Sequence, residues 1–319
     1  MSRFFNETRK ALQQERNGAN RSNGSGTFSV DLQEAINELK SGIDKEIHPA
    51  APPNPSQVIP ILSALGRTDE VSAQLAAVRL EQCRRIRLPR GDEKLFSTAQ
   101  YNRSMQVAVE GYRTLRTRLV KRQTENGTRS LVISSATQGE GKSLTSMNLA
   151  LCYANIQNWP ILLVDADLRT RGLSRLMGDP DSPGLAQILE NGCSYDSAIL
   201  ATDIPNLYVL PAGESACPPP ELFSSTRWKE FIGWCNEAVR LVIIDTPPVL
   251  DLTDFELITA VCESVLVIVR ARTTNKESLT RLRNQLDFNK VVGVVVNSAE
   301  PDRRGNSYYY GYGNAPLKP

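Results

Sequence analysis

From about residue 100 onward, short runs of apolar residues alternate with longer stretches whose apolar residues have helical spacing. Such apolar runs are typical of strands buried on both faces of a parallel sheet, with helices as the connections. The pattern therefore predicts an α/β fold, a parallel sheet sandwiched by helices. The predicted strands are Leu131–Ser134, Ile161–Asp165, Leu207–Leu210, Leu241–Asp245, Val265–Val269 and Val291–Val296, and the predicted helices are Met105–Val120, Lys142–Gln157, Glu221–Ala238 and Lys276–Leu286.

Both ends of the chain lack this alternation. Residues 17–26 are rich in Gly, Asn and Ser, which predicts a flexible spacer. A short amphipathic helix is predicted just after it, from Leu32, Ile36, Leu39 and Ile43, and this helix either packs on the main domain or binds a partner. We therefore predict a largely disordered N-terminal region over residues 1–99, a main domain over 100–300 and a mobile tail over 301–319.

Composition narrows the range of partners. The chain has 319 residues, with 37 basic and 35 acidic side chains and a net charge of +2, so no nucleic-acid partner is expected. The arginines at 84, 85, 87 and 90 are interpreted as a solvated or junction segment. No apolar run approaches the ~20 residues of a membrane helix. The six cysteines form no C-x-x-C pair, which argues against a zinc site and a disulfide framework and favours a cytoplasmic location.

A glycine-containing loop joins the first predicted strand to the helix that follows it. The loop reads Ala136-Thr137-Gln138-Gly139-Glu140-Gly141-Lys142-Ser143. Strand, loop and helix in this order are the context of a phosphate-binding P-loop, in which backbone N–H groups and a lysine face the phosphates. Ala136 replaces the usual first glycine, and a glycine-rich turn without a ligand is the alternative. The predicted ATP-binding residues are Thr137, Gln138, Gly139, Glu140, Gly141, Lys142, Ser143 and Leu144.

Acidic residues follow two other predicted strands directly. Asp165 and Asp167 come at the end of one strand, and Asp245 ends another. The carboxyl ends of parallel strands are where α/β folds bind ligands, and Mg²⁺ prefers hard oxygen ligands. Any one of these acids alone could equally be a turn or N-cap residue. Together they predict a Mg²⁺ site beside the phosphates, with Ser143, Asp167 and Asp245 as its residues.

These segments resemble the bacterial tyrosine kinases of capsule and exopolysaccharide systems, a branch of the P-loop ATPases with a deviant Walker A motif. Gly139–Ser143 resembles the family's Walker A, Asp165–Arg169 its A′ motif and Asp245–Pro248 its Walker B. Two further features resemble the family's oligomerisation motif, at Glu110, Arg113 and Arg116, and its phosphorylated cluster, at Tyr308, Tyr309, Tyr310 and Tyr312. Gln138 stands where the family commonly has proline, and Cys217–Leu222 departs from the family's Pro-Asn-Pro segment.

The resemblance implies an ATP- and Mg²⁺-dependent tyrosine autokinase. Lys142 and Arg169 would neutralise charge on the transferred phosphoryl group, and Asp165 would orient or deprotonate the tyrosine, with Asp167 and Asp245 near the metal. It also implies a ring-like homo-oligomer, a membrane polysaccharide co-polymerase that recruits the chain to the inner face of the membrane, and a tyrosine phosphatase.

Two other functions remain open on the sequence. A partitioning-type P-loop ATPase would carry a lysine where Thr137 stands and would leave the tyrosine-rich tail unexplained. A catalytically silent nucleotide-binding scaffold of the export machinery is the other, although Lys142 and the three acids are all present. The tail alone could be a low-complexity terminus, and Glu110, Arg113 and Arg116 could form a solvated helix face with one intrahelical ion pair.

Overall fold

The computed structural model describes Leu80 and residues 82–89, 103–178, 182–250 and 253–298. The predicted spacer, the predicted amphipathic helix and the tail with its four tyrosines lie outside these residues. The strands are β1 Arg84–Ile86, β2 Ser130–Ser135, β3 Ile161–Asp165, β4 Leu200–Thr202, β5 Leu207–Leu210, β6 Leu241–Asp245, β7 Ser264–Arg270 and β8 Val291–Asn297. The α-helices are α1 Arg103–Asn126, α2 Lys142–Ala154, α3 Gly172–Met177, α4 Leu185–Asn191, α5 Tyr195–Ala198, α6 Pro219–Phe223, α7 Thr226–Ala238, α8 Asp254–Ala260 and α9 Lys276–Gln285, and a 3₁₀ turn, Phe288–Lys290, precedes β8.

The eight strands form one sheet in the order β1-β4-β5-β3-β6-β2-β7-β8. All neighbouring pairs are parallel except β4 and β5, which are antiparallel. Strands β2, β3 and β6 lie at the centre and are buried along their whole length. Because these strands are parallel and adjacent, the loops at their carboxyl ends all open on the same edge of the sheet.

Two hydrophobic layers cover the faces of the sheet. Successive residues of a strand point to opposite faces, so Val132 belongs to one layer and Ile133 to the other. One layer includes residues of α4, α7, α8 and α9, such as Phe231. The other includes residues of α1, α2 and α3, such as Met147 and Leu173. This confirms the predicted fold class, a parallel sheet between helices.

All six predicted strands are present. The short helices α3, α4, α5 and α8 were not predicted, and α2 ends at Ala154 instead of Gln157. The other differences also concern elements with weak local signals. Strand β1 comes from the basic segment 84–87; Arg84 and Arg85 are exposed at the edge of the sheet, so no apolar run marked it. Strand β4 is only three residues long. The predicted helix Glu221–Ala238 is two helices, α6 and α7, because Ser225 has extended backbone angles and is the N-cap of α7. Helix α1 continues to Asn126, past the predicted end at Val120.

Strand β1 joins the sheet from the N-terminal side of the boundary predicted at residue 100, and that boundary stays a prediction. Among the described helices, none is long and apolar enough to cross a bilayer.

Candidate active site

The loop between β2 and α2 is held in shape by its own side chains. Gly139 and Gly141 have φ of +83° and +93°, a region that glycine adopts without strain. The Glu140 carboxylate is buried and accepts hydrogen bonds from the Thr137 backbone N–H, at 3.0 Å, and from the hydroxyl of Thr274. A buried carboxylate with two donors fixes the curvature of the loop before any ligand arrives.

Lys142 begins α2 and reaches across to the end of β3. Its Nζ lies 3.4 Å from Oδ2 of Asp167, and both side chains are almost fully buried. Asp167 Oδ2 also accepts a 2.7 Å hydrogen bond from the Thr170 hydroxyl, and Oδ1 accepts a 3.0 Å bond from the Thr170 N–H. The ammonium and the carboxylate therefore lie together at the carboxyl edge of the sheet, as the sequence predicted for residues that share one site.

Asp165 and Asp245 end the adjacent strands β3 and β6 and are paired in register. Asp165 accepts 2.7 Å bonds at Oδ2 from both the N–H and the hydroxyl of Ser174, and a 3.2 Å bond at Oδ1 from the Asp167 N–H. Burial raises the pKa of Asp165 to about 6, against the lowering effect of Ser174, and the charge of Asp167 raises it further. Both oxygens of Asp165 therefore accept hydrogen bonds within its own chain.

Asp245 has the opposite arrangement. Its Oδ1 accepts a 3.0 Å bond from the Ser146 hydroxyl, but its buried Oδ2 receives no hydrogen bond of ordinary geometry. Burial raises the pKa of Asp245 to about 7; Lys142 opposes the shift, Asp165 adds to it, and the hydroxyls of Ser143 and Ser146 lower it. A buried carboxylate oxygen without a donor, beside the hydroxyl of Ser143, suits a cation or a cation-bound water.

This donor set fits Mg²⁺ bound together with a nucleotide. Over the residues that the structure describes, no three His, Cys, Asp or Glu side chains form a metal cage. Mg²⁺ usually keeps several waters and binds through one or two protein oxygens and the substrate's phosphates, so a cage is not required. Ser143, Asp167 and Asp245 remain the predicted metal residues.

Arg169 pairs with a residue that the sequence did not single out. Its Nε lies 2.9 Å from Asp254 Oδ2 and its Nη2 lies 3.3 Å from Oδ1, a two-pronged contact with a buried carboxylate. Asp254 lies in the first turn of α8, where an acid is common, so nothing in the local pattern marked it. Arg169 itself is 41% exposed, and Asp254 holds it at the rim of the site.

The predicted oligomerisation residues lie on α1. Glu110 and Arg113 form an exposed ion pair within the helix. Arg116 donates a 2.7 Å hydrogen bond to the carbonyl of Cys152 in α2, within the same chain. One exposed pair and one internal anchor are thus what a single copy of the chain shows, and the oligomerisation role stays a prediction.

Known proteins that are similar to this chain include an ATPase domain family and several tyrosine-protein kinases. The family model described as AAA domain matches residues 128–292. The tyrosine-protein kinase YwqD of Bacillus subtilis (strain 168) is 30% identical over 228 residues, which are 71% of this chain and 96% of YwqD. CapB of Staphylococcus aureus is 30% identical over 206 residues, 64% of this chain and 90% of CapB. The solved kinase domain of the Escherichia coli tyrosine kinase ETK has a TM-score of 0.58 and 26% identity, over 72% of this chain and 93% of that domain.

The sheet, the loop after β2 and the lysine that begins α2 define a nucleotide-binding domain of the P-loop ATPase class, as the sequence predicted. Within that class, the chain belongs to the bacterial tyrosine-protein kinases. It is an ATP-dependent tyrosine kinase.

Proposed function

We propose that the chain transfers the γ-phosphoryl group of Mg-ATP to tyrosines of its own C-terminal tail, Tyr308, Tyr309, Tyr310 and Tyr312, with one copy acting on another in a ring-like oligomer. One observation carries the proposal: Lys142, Asp167 and Asp245 converge at the end of the phosphate loop, and Asp245 keeps a buried oxygen without a donor.

Phosphoryl transfer depends on positioning and charge stabilisation. The N–H groups of the loop and Lys142 would hold the phosphates of ATP. Bound Mg²⁺ would offset the negative charge of those phosphates, and Ser143 with Asp245 would hold it. In the transfer, the phenol oxygen bonds to the γ-phosphorus while the bond to the bridging oxygen of ADP breaks, and the phenol proton passes to a base.

Asp165 is the proposed base that accepts the phenol proton. Its pKa of about 6 leaves it ionised at neutral pH. Both of its oxygens accept bonds from Ser174 and Asp167 in this conformation. A carboxylate has about four acceptor positions, so a position on Oδ1 of Asp165 is open to the phenol proton, and rotation of the Ser174 hydroxyl would open another on Oδ2.

A cavity of about 220 Å³ supports a place for the acceptor tyrosine. Leu168, Pro219 and Leu222 supply apolar lining, and Arg169 lies at its wall. The lining is mixed: its apolar side chains can pack against a phenol ring, and the guanidinium of Arg169 suits the negative charge that the ring carries after phosphorylation. Two of its lining residues, Leu168 and Arg169, directly follow Asp167 in the chain.

The root of the tail lies close to the loop as well. Asn297, at the end of β8, donates a 2.9 Å bond to the Glu140 carbonyl. Tyr308 lies ten positions after Ser298 in the chain, a distance of at most about 33–36 Å when extended. If the tyrosines enter a neighbouring copy's site, phosphate charge on the cluster would weaken its docking beside acidic residues.

Labelled ATP with Mg²⁺ tests the proposal on the intact chain, on Lys142→Met and on a chain that ends at Ser307. Tyrosine label is expected on the intact chain alone. Label on the Lys142→Met chain when it is mixed with the chain ending at Ser307 would demonstrate transfer between copies. A chain in which the four tail tyrosines are replaced by Phe is the matched acceptor control.

Two outcomes would favour the other functions. Hydrolysis of ATP without tyrosine label would favour a partitioning-type ATPase, and tight nucleotide binding without turnover would favour a silent scaffold. Each negative result requires a repeat with the cytoplasmic segment of the proposed membrane partner, a polysaccharide co-polymerase. In cells, we expect the kinase to regulate capsule or exopolysaccharide export at the inner face of the membrane, with a tyrosine phosphatase reversing the modification.

A further inference from the structure

The outer side of the phosphate loop is in contact with the ends of β7 and β8. Arg270 ends β7, and its Nη1 donates a 3.0 Å hydrogen bond to the carbonyl of Gly139. Asn297 ends β8, and its Nδ2 donates a 2.9 Å bond to the carbonyl of Glu140. Arg270 and Asn297 are register partners, so two neighbouring strand ends bind two consecutive carbonyls of the loop.

These contacts fix the direction of two peptide planes. In a trans peptide the C=O and the following N–H point in opposite directions. When the carbonyls of Gly139 and Glu140 point outward to Arg270 and Asn297, the N–H groups of Glu140 and Gly141 point to the inner side of the loop. Inward N–H groups are what a P-loop offers to phosphates.

The packing at Gly141 shows how close this contact is. A Cβ at residue 141 would lie 2.1 Å from Nδ2 of Asn297. Asn297 also accepts a 2.8 Å bond at Oδ1 from the Ser298 N–H, so its amide bridges the loop and the backbone that follows β8. Below it, Thr274 accepts a 2.9 Å bond from the Arg270 N–H and donates to the Glu140 carboxylate.

We infer that Arg270 and Asn297 are positioning residues for the bound phosphates, acting through the carbonyls of Gly139 and Glu140. This rests on the proposed nucleotide site, and it adds two residues that no predicted motif contained. Their effect is on the orientation of backbone donors, so it applies to any ligand that places a phosphate chain in the loop, whether or not a nucleoside is attached.

The test uses Asn297→Leu, which keeps a similar size and removes the donor, with Asn289→Leu at an exposed site as its control. Arg270 is exposed, so Arg270→Met is expected to fold, and Arg281→Met in α9 is its control. The affinity for MgADP and for Mg-pyrophosphate is measured in each full-length variant, together with the melting temperature without ligand.

We expect Asn297→Leu to weaken the binding of both ligands by the same factor, about tenfold, and Arg270→Met to weaken the binding of both by about threefold. The control variants should bind both ligands as the unaltered chain does. Unchanged MgADP affinity in both variants would overturn the inference and leave the proposed function intact. So would a loss confined to MgADP, because it would indicate direct contact with the nucleoside. Failure of the unaltered chain to bind MgADP would overturn the proposed function itself, and this inference with it.

Discussion

Asp165 and Asp245 are register partners at the ends of β3 and β6, and they are buried side by side with unequal hydrogen bonding. Three donors reach Asp165, whereas Oδ2 of Asp245 has none of ordinary geometry. The pair therefore separates a carboxylate that organises the chain from one that is free to bind a ligand. That difference leads to opposite expectations for the same change at the two positions.

Asp245→Asn is expected to raise the free energy of unfolding of the ligand-free chain at pH 8, by on the order of 1 kcal/mol, because it removes a buried charge that lacks full solvation. Asp165→Asn is expected to lower it by about 1–3 kcal/mol, since an amide nitrogen would face one of the three donors. Urea unfolding at pH 8 measures both. Equal effects of the two substitutions would contradict this account.

The raised pKa values of Asp165 and Asp245 make stability and binding respond to pH in opposite directions. The folded chain holds their protons up to about pH 6 and 7, above the ordinary range of an aspartate. Their contribution to stability is therefore present below about pH 4 and is lost as pH rises through 6–7. If the ionised Asp245 helps to hold Mg²⁺ as proposed, the dissociation constant of MgADP should fall as pH rises from about 6 to 8.

Titration of MgADP into the chain at several pH values measures that trend. ADP has its own phosphate titration, so Asp245→Asn is the control, since it keeps the ligand's contribution and removes that of the carboxyl. Parallel pH profiles for the two proteins would mean that Asp245 does not take part in binding.

Glycine at 139 and at 141 is required for different reasons. Both have positive φ, so alanine at either position costs about 1 kcal/mol in backbone strain. A Cβ at 139 would meet no atom within 4 Å, whereas one at 141 would displace the Asn297 amide. Gly141→Ala should therefore lower the free energy of unfolding by about 1 kcal/mol more than Gly139→Ala does.

Melting temperatures of the two glycine variants give the comparison. Gly141→Ala should also weaken MgADP binding by about the same factor as Asn297→Leu, because both substitutions break the hydrogen bond from Asn297 to the Glu140 carbonyl. Equal melting temperatures for the two variants would show that Asn297 moves aside without loss.

Substitutions at Arg113 and at Arg116 are expected to have different effects on oligomer assembly and on the stability of the single chain. The exposed pair of Arg113 with Glu110 contributes less than about 0.5 kcal/mol, whereas Arg116 anchors α1 to the Cys152 carbonyl of α2. Arg116→Met is thus expected to destabilise the single chain by about 1 kcal/mol. If Arg113 mediates a ring as predicted, Arg113→Met should reduce the assembly size without changing stability.

Light scattering measures the assembly size of each variant, and urea unfolding of the same samples measures its stability. Gln106→Met, at an exposed site earlier on α1, is the matched surface control. A normal assembly in Arg113→Met would remove that residue from the interface.

Local sequence patterns were enough to predict the six longer strands and the acids that end two of them. Runs such as Leu241–Asp245 are apolar because both faces of a central strand are buried, and this signal is local enough to fix both the strand and the acid at its end. The loop before Lys142 could be predicted in the same way, because its glycines and its place between a strand and a helix are local features. Strand β1 was not, since an exposed edge strand needs no apolar run.

Which side chains contact one another could be seen only in the folded chain. Ser174 reaches Asp165, Asp254 reaches Arg169 and Asn297 reaches Glu140. Asn297 is 157 positions from the residue it contacts. Such pairs are set by the order in which strands assemble and by the register between them, and no periodicity within a segment encodes a partner that far away. The local pattern therefore predicted the strands, the loop and the positions of the acids, while the order of the strands gave each charged group its burial and its neighbours.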